Sequence, residues 1–468
     1  MPPKRRGTKA AVVPTSHPAA GPAGDASAER RITRLRSREL GLEAAGAGDV
    51  ASDDPGPVRK KRKVHPTVGG KSVRAAAAAR ADPPARPQPP DLPPYPKSGN
   101  SNDILNWAIE FRRICALPGP DIVIPCTVRR EPEDTRTARD VASTADKSLI
   151  LKAARSVVGI SSSMPDGKIL HCTGIVVDWN ETRKLATIVT CSATVCYDGA
   201  LVHPKPKLLV RLPNKATAKG QLLFFNAHYR IALLEALVDS PLEPANFGSS
   251  PKFGQQVFAL ARDKQSSLFA RRGTVLWEEP PIFLKSRYLL SLSSEIALCG
   301  TGGPAIDEHG NVVGMTFSRL PNPDILSISI LQTCIEMWRK CSRVACPFLG
   351  MDLRAFGVLD VSHQEEIQLE HGISDGFIVD MVCTDYIASS LGISNGDVIV
   401  SYNGHRDFTL HTFEKYLLNL GWGFLGSFDS SWTTDLELEL YDPVKRNTRC
   451  VIFPLGFSDT SEEVLPLP

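Results

Sequence analysis

Between Lys147 and Phe317 the apolar residues come in short runs rich in β-branched side chains. The runs are Ser156–Ile160, Gly174–Trp179, Ala186–Thr190, Leu208–Leu212, Ile231–Leu237, Val257–Ala261 and Asn311–Thr316. Turn-forming clusters bound most of them, as at 178–181 (DWNE), 307–310 (DEHG) and 320–322 (LPN). Branched side chains suit a pleated, half-buried surface, and many short strands at such spacing predict an all-β barrel or sandwich. Helical periodicity returns at Ile328–Arg339, which reads as one terminal helix. After Pro347 comes a second block of short strands, a helix at Leu410–Leu420, and a last strand pair split by the turn 442–447 (DPVKRN). Upstream, Asp103–Leu117 reads as a short docking helix with Asp103 as its N-cap, and the polar stretch 118–145 as loop.

The first hundred residues follow another rule. Apolar periodicity is weak there, and 82–96 (DPPARPQPPDLPPYP) favours extended polyproline conformations. A net charge of +3 for the 468-residue chain hides an asymmetry: residues 1–102 hold 19 Lys and Arg against 9 Asp and Glu, leaving 35 against 42 for the rest. A disordered basic arm before a mildly acidic body is the expectation. No stretch approaches the roughly 18–20 apolar residues of a membrane span, and the basic start has no apolar core of a secretory signal behind it. The 11 cysteines have no CxxC spacing, which argues against a zinc site or a disulfide framework and predicts packed free thiols. No metal or other cofactor is implied.

The most specific segment is Leu298–Ile306, LCGTGGPAI. It resembles the GxSGGP loop around the nucleophile of trypsin-like serine proteases, where glycines let the backbone aim N–H groups at an oxyanion. Three further segments lie in the order of the Do-like (HtrA/DegP) family. HCTGIVVDW (171–179) is similar to its SGxGFxxD strand. IVTCSATV (188–195) is similar to ILTNAHVV, which presents the catalytic His, and YRIALLEAL (229–237) to DLALLKV, which presents the Asp. The resemblance implies a two-barrel trypsin-like domain over about 147–340, akin to the plant-type Do-like relatives.

Carried over residue by residue, it sets Ala193 at the His, Arg230 at the Asp and Thr301 at the Ser, with Cys299 and Gly300 leading into Thr301 in the oxyanion loop. No intact catalytic site results. Ala193 has no basic atom, Arg230 is permanently charged and no carboxylate surrogate, and the Thr301 hydroxyl needs a base. A slipped register would draw on His228, His171, His203 or Ser192. A thiol nucleophile at Cys191 or Cys299 would need a paired His, so both read as packed thiols.

In the second block, Phe348, Leu349, Gly350 and Met351 resemble the carboxylate-binding loop that opens PDZ domains. Residues 376–404 (GFIVDMVCTDYIASSLGISNGDVIVSYNG) resemble that family's GxxVxxVxxxSPAxxAGLxxGDVIxxING. The resemblance covers about 345–455 and implies capture of protein or peptide C-termini, with the helix at 410–420 as the second wall. A module that only packs on the protease domain is the other reading. HQEEIQLEHG (363–372) and GWGFLGSFDSSWTT (421–434) depart from the family pattern.

Arg59, Lys60, Lys61, Arg62 and Lys63 form an unbroken basic run of the kind import receptors read, which predicts a nuclear protein; a plastid or mitochondrial transit peptide is the alternative. The arm as a whole would bind nucleic acid only non-specifically. The expected organisation is therefore a basic arm (1–102), a linker with a docking helix (103–146), the protease-like domain (147–340), the PDZ-like domain (345–455) and a tail (456–468). The expected function is a protease homologue without activity that binds protein tails or unfolded segments; an active endopeptidase with an unconventional site is the alternative. Do-like proteases commonly trimerise through N-terminal protease-domain segments, so the resemblance leaves a homo-oligomer open, with Asp103–Leu117 as the segment that would serve it.

Overall fold

The structure is a computed structural model. It describes residues 93–97, 100–116, 126–128 and 130–460, except 165, 198, 279–285, 384–385, 428 and 430. Most of the basic arm, including Arg59–Lys63, and the end of the tail lie outside the described residues. The chain divides into two compact units, Met1–Ala116 and Leu117–Pro468.

In the first unit, helix α1 (Ser101–Ala116) carries Trp107, whose indole N–H donates to Pro93 O at 2.8 Å. Tyr95 meets that ring edge-on at 5.0 Å, and Phe111 stacks on it at 5.0 Å.

In the second unit, α2 (Thr135–Asp140) lies inside the stretch read as loop, and α3 (Thr144–Ala153) starts at its end. Neither has an apolar stripe to announce it. Asp134 caps α2 by accepting the Thr137 N–H at 2.9 Å, and Arg271 donates to the same carboxylate at 2.6 Å. The helix is held by a residue far along the chain.

Strands β1 (Val157–Ser163), β2 (Ile169–Asn180) and β3 (Leu185–Cys191) come next, then a small ribbon of β4 (Cys196–Tyr197) and β5 (Ala200–Leu201). With β6 (Lys207–Arg211), β7 (Thr217–Asn226) and β8 (Ile231–Leu237) they close a barrel in the order β1-β2-β3-β8-β7-β6, the ribbon standing apart. A second closed barrel runs β10-β11-β14-β13-β12-β9. Its strands are β9 (Gln256–Arg262), β10 (Leu268–Leu276), β11 (Leu290–Leu292), β12 (Pro304–Ile306), β13 (Val312–Phe317) and β14 (Asp324–Ser327). Alternation along each strand fills both barrels: Val158, Ile160, Ile188, Val210 and Leu234 in the first, Val257, Val275, Leu292, Val313 and Ile325 in the second. The opposite faces of the same strands are also apolar. Val157, Ile175, Val189 and Leu233 share one core with Leu260, Ile306, Met315 and Leu326, so the barrels are pressed together. Arg262 clips this seam. Its buried guanidinium donates to Val157 O (2.6 Å), Ala154 O (2.8 Å) and Ser266 O (2.8 Å). Burial pushes its pKa down to about 10.

Helix α4 (Ile328–Cys341) leads into a six-stranded sheet in the order β15-β20-β19-β18-β17-β16. Its strands are β15 (Cys346–Phe348), β16 (Met351–Ala355), β17 (Phe377–Val382), β18 (Val398–Tyr402), β19 (Thr433–Asp442) and β20 (Asn447–Ser458). The departure at 363–372 forms helix α5 (Val361–His371), capped by Asp360. A short α6 (Ile387–Ser390) follows β17, and α7 (Leu410–Leu420) and α8 (Trp422–Gly426) follow β18. Phe424 of α8 stacks on Phe457 at 5.9 Å, which ties the 421–434 segment to the sheet. Among the described residues, no helix is long and apolar enough to cross a membrane, and no group of His, Cys, Asp or Glu is placed to hold a metal.

Candidate functional site

The loop 298–303 sits on the seam between the barrels, and packing dictates its glycines. A Cβ on Gly302 (φ +84°) would lie 2.5 Å from Thr173 O and 2.6 Å from the Thr190 hydroxyl. One on Gly303 would lie 2.3 Å from Leu260 O. Thr173 N–H donates to Thr301 O at 3.0 Å, and its hydroxyl to Cys299 O at 2.7 Å. Thr190 donates to Thr173 O at 2.7 Å, so the end of β3 locks the loop from behind. The half-buried Thr301 presents its Oγ1 as an acceptor to the Ser318 N–H at 3.0 Å.

Ala193 stands exposed in the turn after β3. The preceding Ser192 N–H donates to Arg230 O at 3.0 Å, so the two segments meet. Arg230 takes a left-handed backbone (φ 58°) and lays its guanidinium 4.3 Å above the Phe317 ring. Its Nη1 lies 3.5 Å from Asp324 Oδ2. Asp324 is buried, and Arg319 donates to its Oδ1 through Nε (2.8 Å) and Nη2 (2.7 Å). Ala193, Arg230 and Thr301 thus converge through shared neighbours on β13 and the loops. A hydroxyl, a methyl group and a guanidinium contain no general base.

Among the described residues, no histidine fills that gap. His228 lies against Tyr229 and Tyr288, with Nε2 3.7 Å from Glu414. His171 Nδ1 meets the Ser161 hydroxyl at 2.9 Å on the outside of the first barrel, and His203 caps its own turn. Ser192 is buried. Burial pushes the Cys191 thiol up to about 11 and raises that of Cys299 too.

A second concavity lies between β16, α7 and the second barrel. Strand β16 is an edge of its sheet, pairing only with β17. Leu353 and Ala355 face Leu410 and His411 across the cleft, and Trp277 and Tyr288 of the barrel close its third side. His411 is buried, which holds its pKa below the usual range, and its Nδ1 has no hydrogen-bond partner. The loop Phe348–Met351 leads into β16: Gly350 has φ +64° and its carbonyl accepts from Cys383 N–H at 3.0 Å, while Phe348 packs on Tyr386 at 4.7 Å.

Sequence reasoning missed Phe317, Arg319 and Asp324, although a cation and an acid flanking the 320–323 turn were a usable signal. It also missed the tie between barrel and third sheet, where the Tyr229 hydroxyl donates to Glu414 Oε1 at 2.8 Å and Arg287 pairs with Asp380 at 2.8 Å.

The profile of the family described as "Trypsin-like peptidase domain" matches residues 172–315. The chain is 24% identical over 251 residues to "Putative protease Do-like 14" of Arabidopsis thaliana, across 51% of this chain and 54% of that protein. It is 20% identical over 110 residues to "Serine protease HtrA-like" of Staphylococcus aureus, across 22% of this chain and 14% of that protein. It therefore spans about half the length of the first relative and a smaller part of the second. Among solved structures it is similar to an HtrA-type protease AlgW with tripeptide (TM-score 0.48, 12% identity, 69% of this chain and 98% of that one). It is also similar to a serine endoprotease from Yersinia pestis (TM-score 0.42, 14% identity, 68% and 99%).

Proposed function

We propose that this Do-like protease homologue, with its trypsin-like peptidase domain, binds protein tails or unfolded segments and does not hydrolyse them. One observation carries the reading: the Thr301 hydroxyl accepts the Ser318 N–H, and the group beside that loop is the Arg230 guanidinium rather than an imidazole. A hydroxyl without an adjacent base is a weak nucleophile at neutral pH. The purified full chain should leave casein intact and take no label from a fluorophosphonate. Robust cleavage that disappears in Thr301→Ala would overturn the proposal in favour of an active endopeptidase.

The β16–α7 groove is the second binding surface in this reading, a PDZ-like site for C-terminal peptides. An unpaired edge strand, an apolar wall on α7 and a glycine loop at the head of the strand support it. A C-terminal peptide found by array should lose at least about tenfold in affinity, or about 1.4 kcal/mol, when its carboxylate is amidated. Gly350→Val should abolish binding, because a Cβ there would lie 2.8 Å from Tyr386 Cβ on a left-handed backbone. If amidation has no effect, or no peptide binds, the third sheet is a packing module.

The site of action in this proposal is the nucleus, reached through Arg59–Lys63. Changing Lys60, Lys61, Arg62 and Lys63 to Ala should move a fluorescent fusion out of the nucleus without altering its folded domains. A wild-type fusion found in plastids or mitochondria would make the arm a transit peptide.

A further inference from the structure

Residues 199–234 contain six Lys or Arg and no Asp or Glu, inside a folded body whose overall balance is acidic. Five of the six, Lys205, Lys207, Arg211, Lys215 and Lys219, belong to the β6–β7 hairpin or its flanks. Leu208, Val210 and Leu212 point into the first barrel, so alternation sends Lys207, Arg211 and Lys219 outward. Register continues the row sideways, but at β1 the row is covered: Ser161 is buried, and a Cβ on Gly159 would lie 3.3 Å from Asp263 O. Lys219 lies opposite Leu209, Leu209 opposite Ser161, and Ser161 opposite His171. In the neighbouring rows Arg211 lies opposite Gly159, and Lys207 opposite Ser163. Lys264, in the turn after β9, and Arg211 both stand close enough to His171 to add to the burial that keeps its imidazole below the usual range.

These cations are not neutralised. Among the described residues, Lys205, Lys207, Arg211, Lys215, Lys219 and Lys264 form no ion pair, and Arg211 Nε is buried without a hydrogen-bond partner. Of the bordering acids, Asp263 accepts the N–H groups of Gln265 and Ser267 (both 2.8 Å) and its charge acts against Arg211 and Lys264 at His171, and Glu235 lies opposite Gln221, two residues along β7 from Lys219. Lys168 pairs with Asp166 at 2.9 Å. At about 3.3 Å per residue Lys207 and Arg211 are separated by about 13 Å, and Lys219 stands on the neighbouring strand, about 5 Å across. The face thus holds fixed positive charge in two dimensions.

We infer that this face of the first barrel binds duplex nucleic acid through its phosphates, without reading sequence. A duplex carries one negative charge per about 1.7 Å of axis, a density that rewards several unpaired cations on one rigid surface. The exposed Ser163 hydroxyl adds a neutral phosphate donor. An acidic peptide would need a strand edge or groove, and the closed barrel has no free edge here. A bilayer surface would need several apolar side chains to insert, and Ile169 is the one large apolar side chain strongly exposed on β7, β6, β1 and β2.

The test is fluorescence anisotropy of the full chain with a labelled duplex of about twenty base pairs, titrated at several salt concentrations. To separate the arm, it is done in the Lys60, Lys61, Arg62, Lys63→Ala background as well as in the unaltered chain. In both, Lys207→Ala, Arg211→Ala and Lys219→Ala together should weaken binding about tenfold or more near 0.1 M salt. They should also flatten the slope of log K against log salt by about 2–3, equally for unrelated sequences. Lys207→Arg with Lys219→Arg should keep the affinity, and the melting temperature should be the same in all variants. Unchanged binding by the triple variant, or binding that vanishes in the arm background alone, overturns the inference. So does tighter binding of polyglutamate or of phosphatidylserine vesicles than of the duplex at equal charge.

Discussion

Introduced together, Ala193→His, Arg230→Asp and Thr301→Ser are expected to raise casein cleavage on the order of 10²-fold or more above the unaltered chain, while each change alone gives nothing measurable. The asymmetry follows from how the parts act. A base without a nucleophile, or a nucleophile without a base, contributes almost nothing, because triad members work as a unit. The backbone is ready for the change: the 302–303 turn is fixed by Thr173, Thr190 and Leu260, and Asp tolerates the left-handed conformation at position 230. Two obstacles are local. Thr301 Oγ1 must leave the Ser318 N–H, which the unbranched serine does more freely. The new carboxylate would also face Asp324, and like charges raise a carboxylate pKa. Arg319 remains on Asp324 to moderate this. The activity should therefore fall away on the acid side of neutrality earlier than an ordinary Asp would allow. Cys299→Gly is the fourth change to add if the oxyanion loop limits the rate. Turnover recovered by Thr301→Ser alone would mean that a base is already in place.

The sequence spoke clearly where a pattern is local. Short β-branched apolar runs bounded by turn residues marked β1, β2, β3, β6, β8, β9 and β13, while β7, β10, β11, β12 and β14 lay outside the runs read as strands. The helix at Leu410–Leu420 was also legible, as was the last hairpin across 442–447. GTGGP was legible because a seam between two backbones leaves no room for a Cβ. What stayed hidden depends on partners far along the chain. Helix α2 is six residues long and has no buried side chain; Arg271, 137 residues beyond Asp134, holds its cap. The Arg230–Asp324 contact spans 94 residues, and Tyr229–Glu414 spans 185. Nothing in a local window encodes which acid will meet which cation. Hence the three positions could be aligned by motif, while what surrounds them could not be read from the sequence.

Asp324→Ala is expected to be the most damaging single change at this site, costing about 3–5 kcal/mol of stability. The carboxylate is buried, and it accepts two bonds from Arg319, whose side chain is only 14% exposed. Removing it strands a nearly buried guanidinium with no counter-charge, and that penalty exceeds the net worth of the pair itself. Asp324→Asn keeps the volume and one acceptor oxygen, so its loss should be smaller, about 1.5–3 kcal/mol, the range for a hydrogen bond to a charged group. Arg319→Met added to Asp324→Ala should recover part of the loss, because the orphaned charge goes with it. Urea unfolding of the four proteins measures this directly, provided the transition of the second barrel is followed. Arg230 gives a second readout. With Asp324 gone its guanidinium keeps only the face of Phe317, a contact of about 0.5–1 kcal/mol where water still reaches it. Its N–H protons should then exchange faster. If Asp324→Ala stays within about 0.5 kcal/mol of the unaltered chain, the acid is an ordinary surface substitution in its effect, and the barrel does not depend on it.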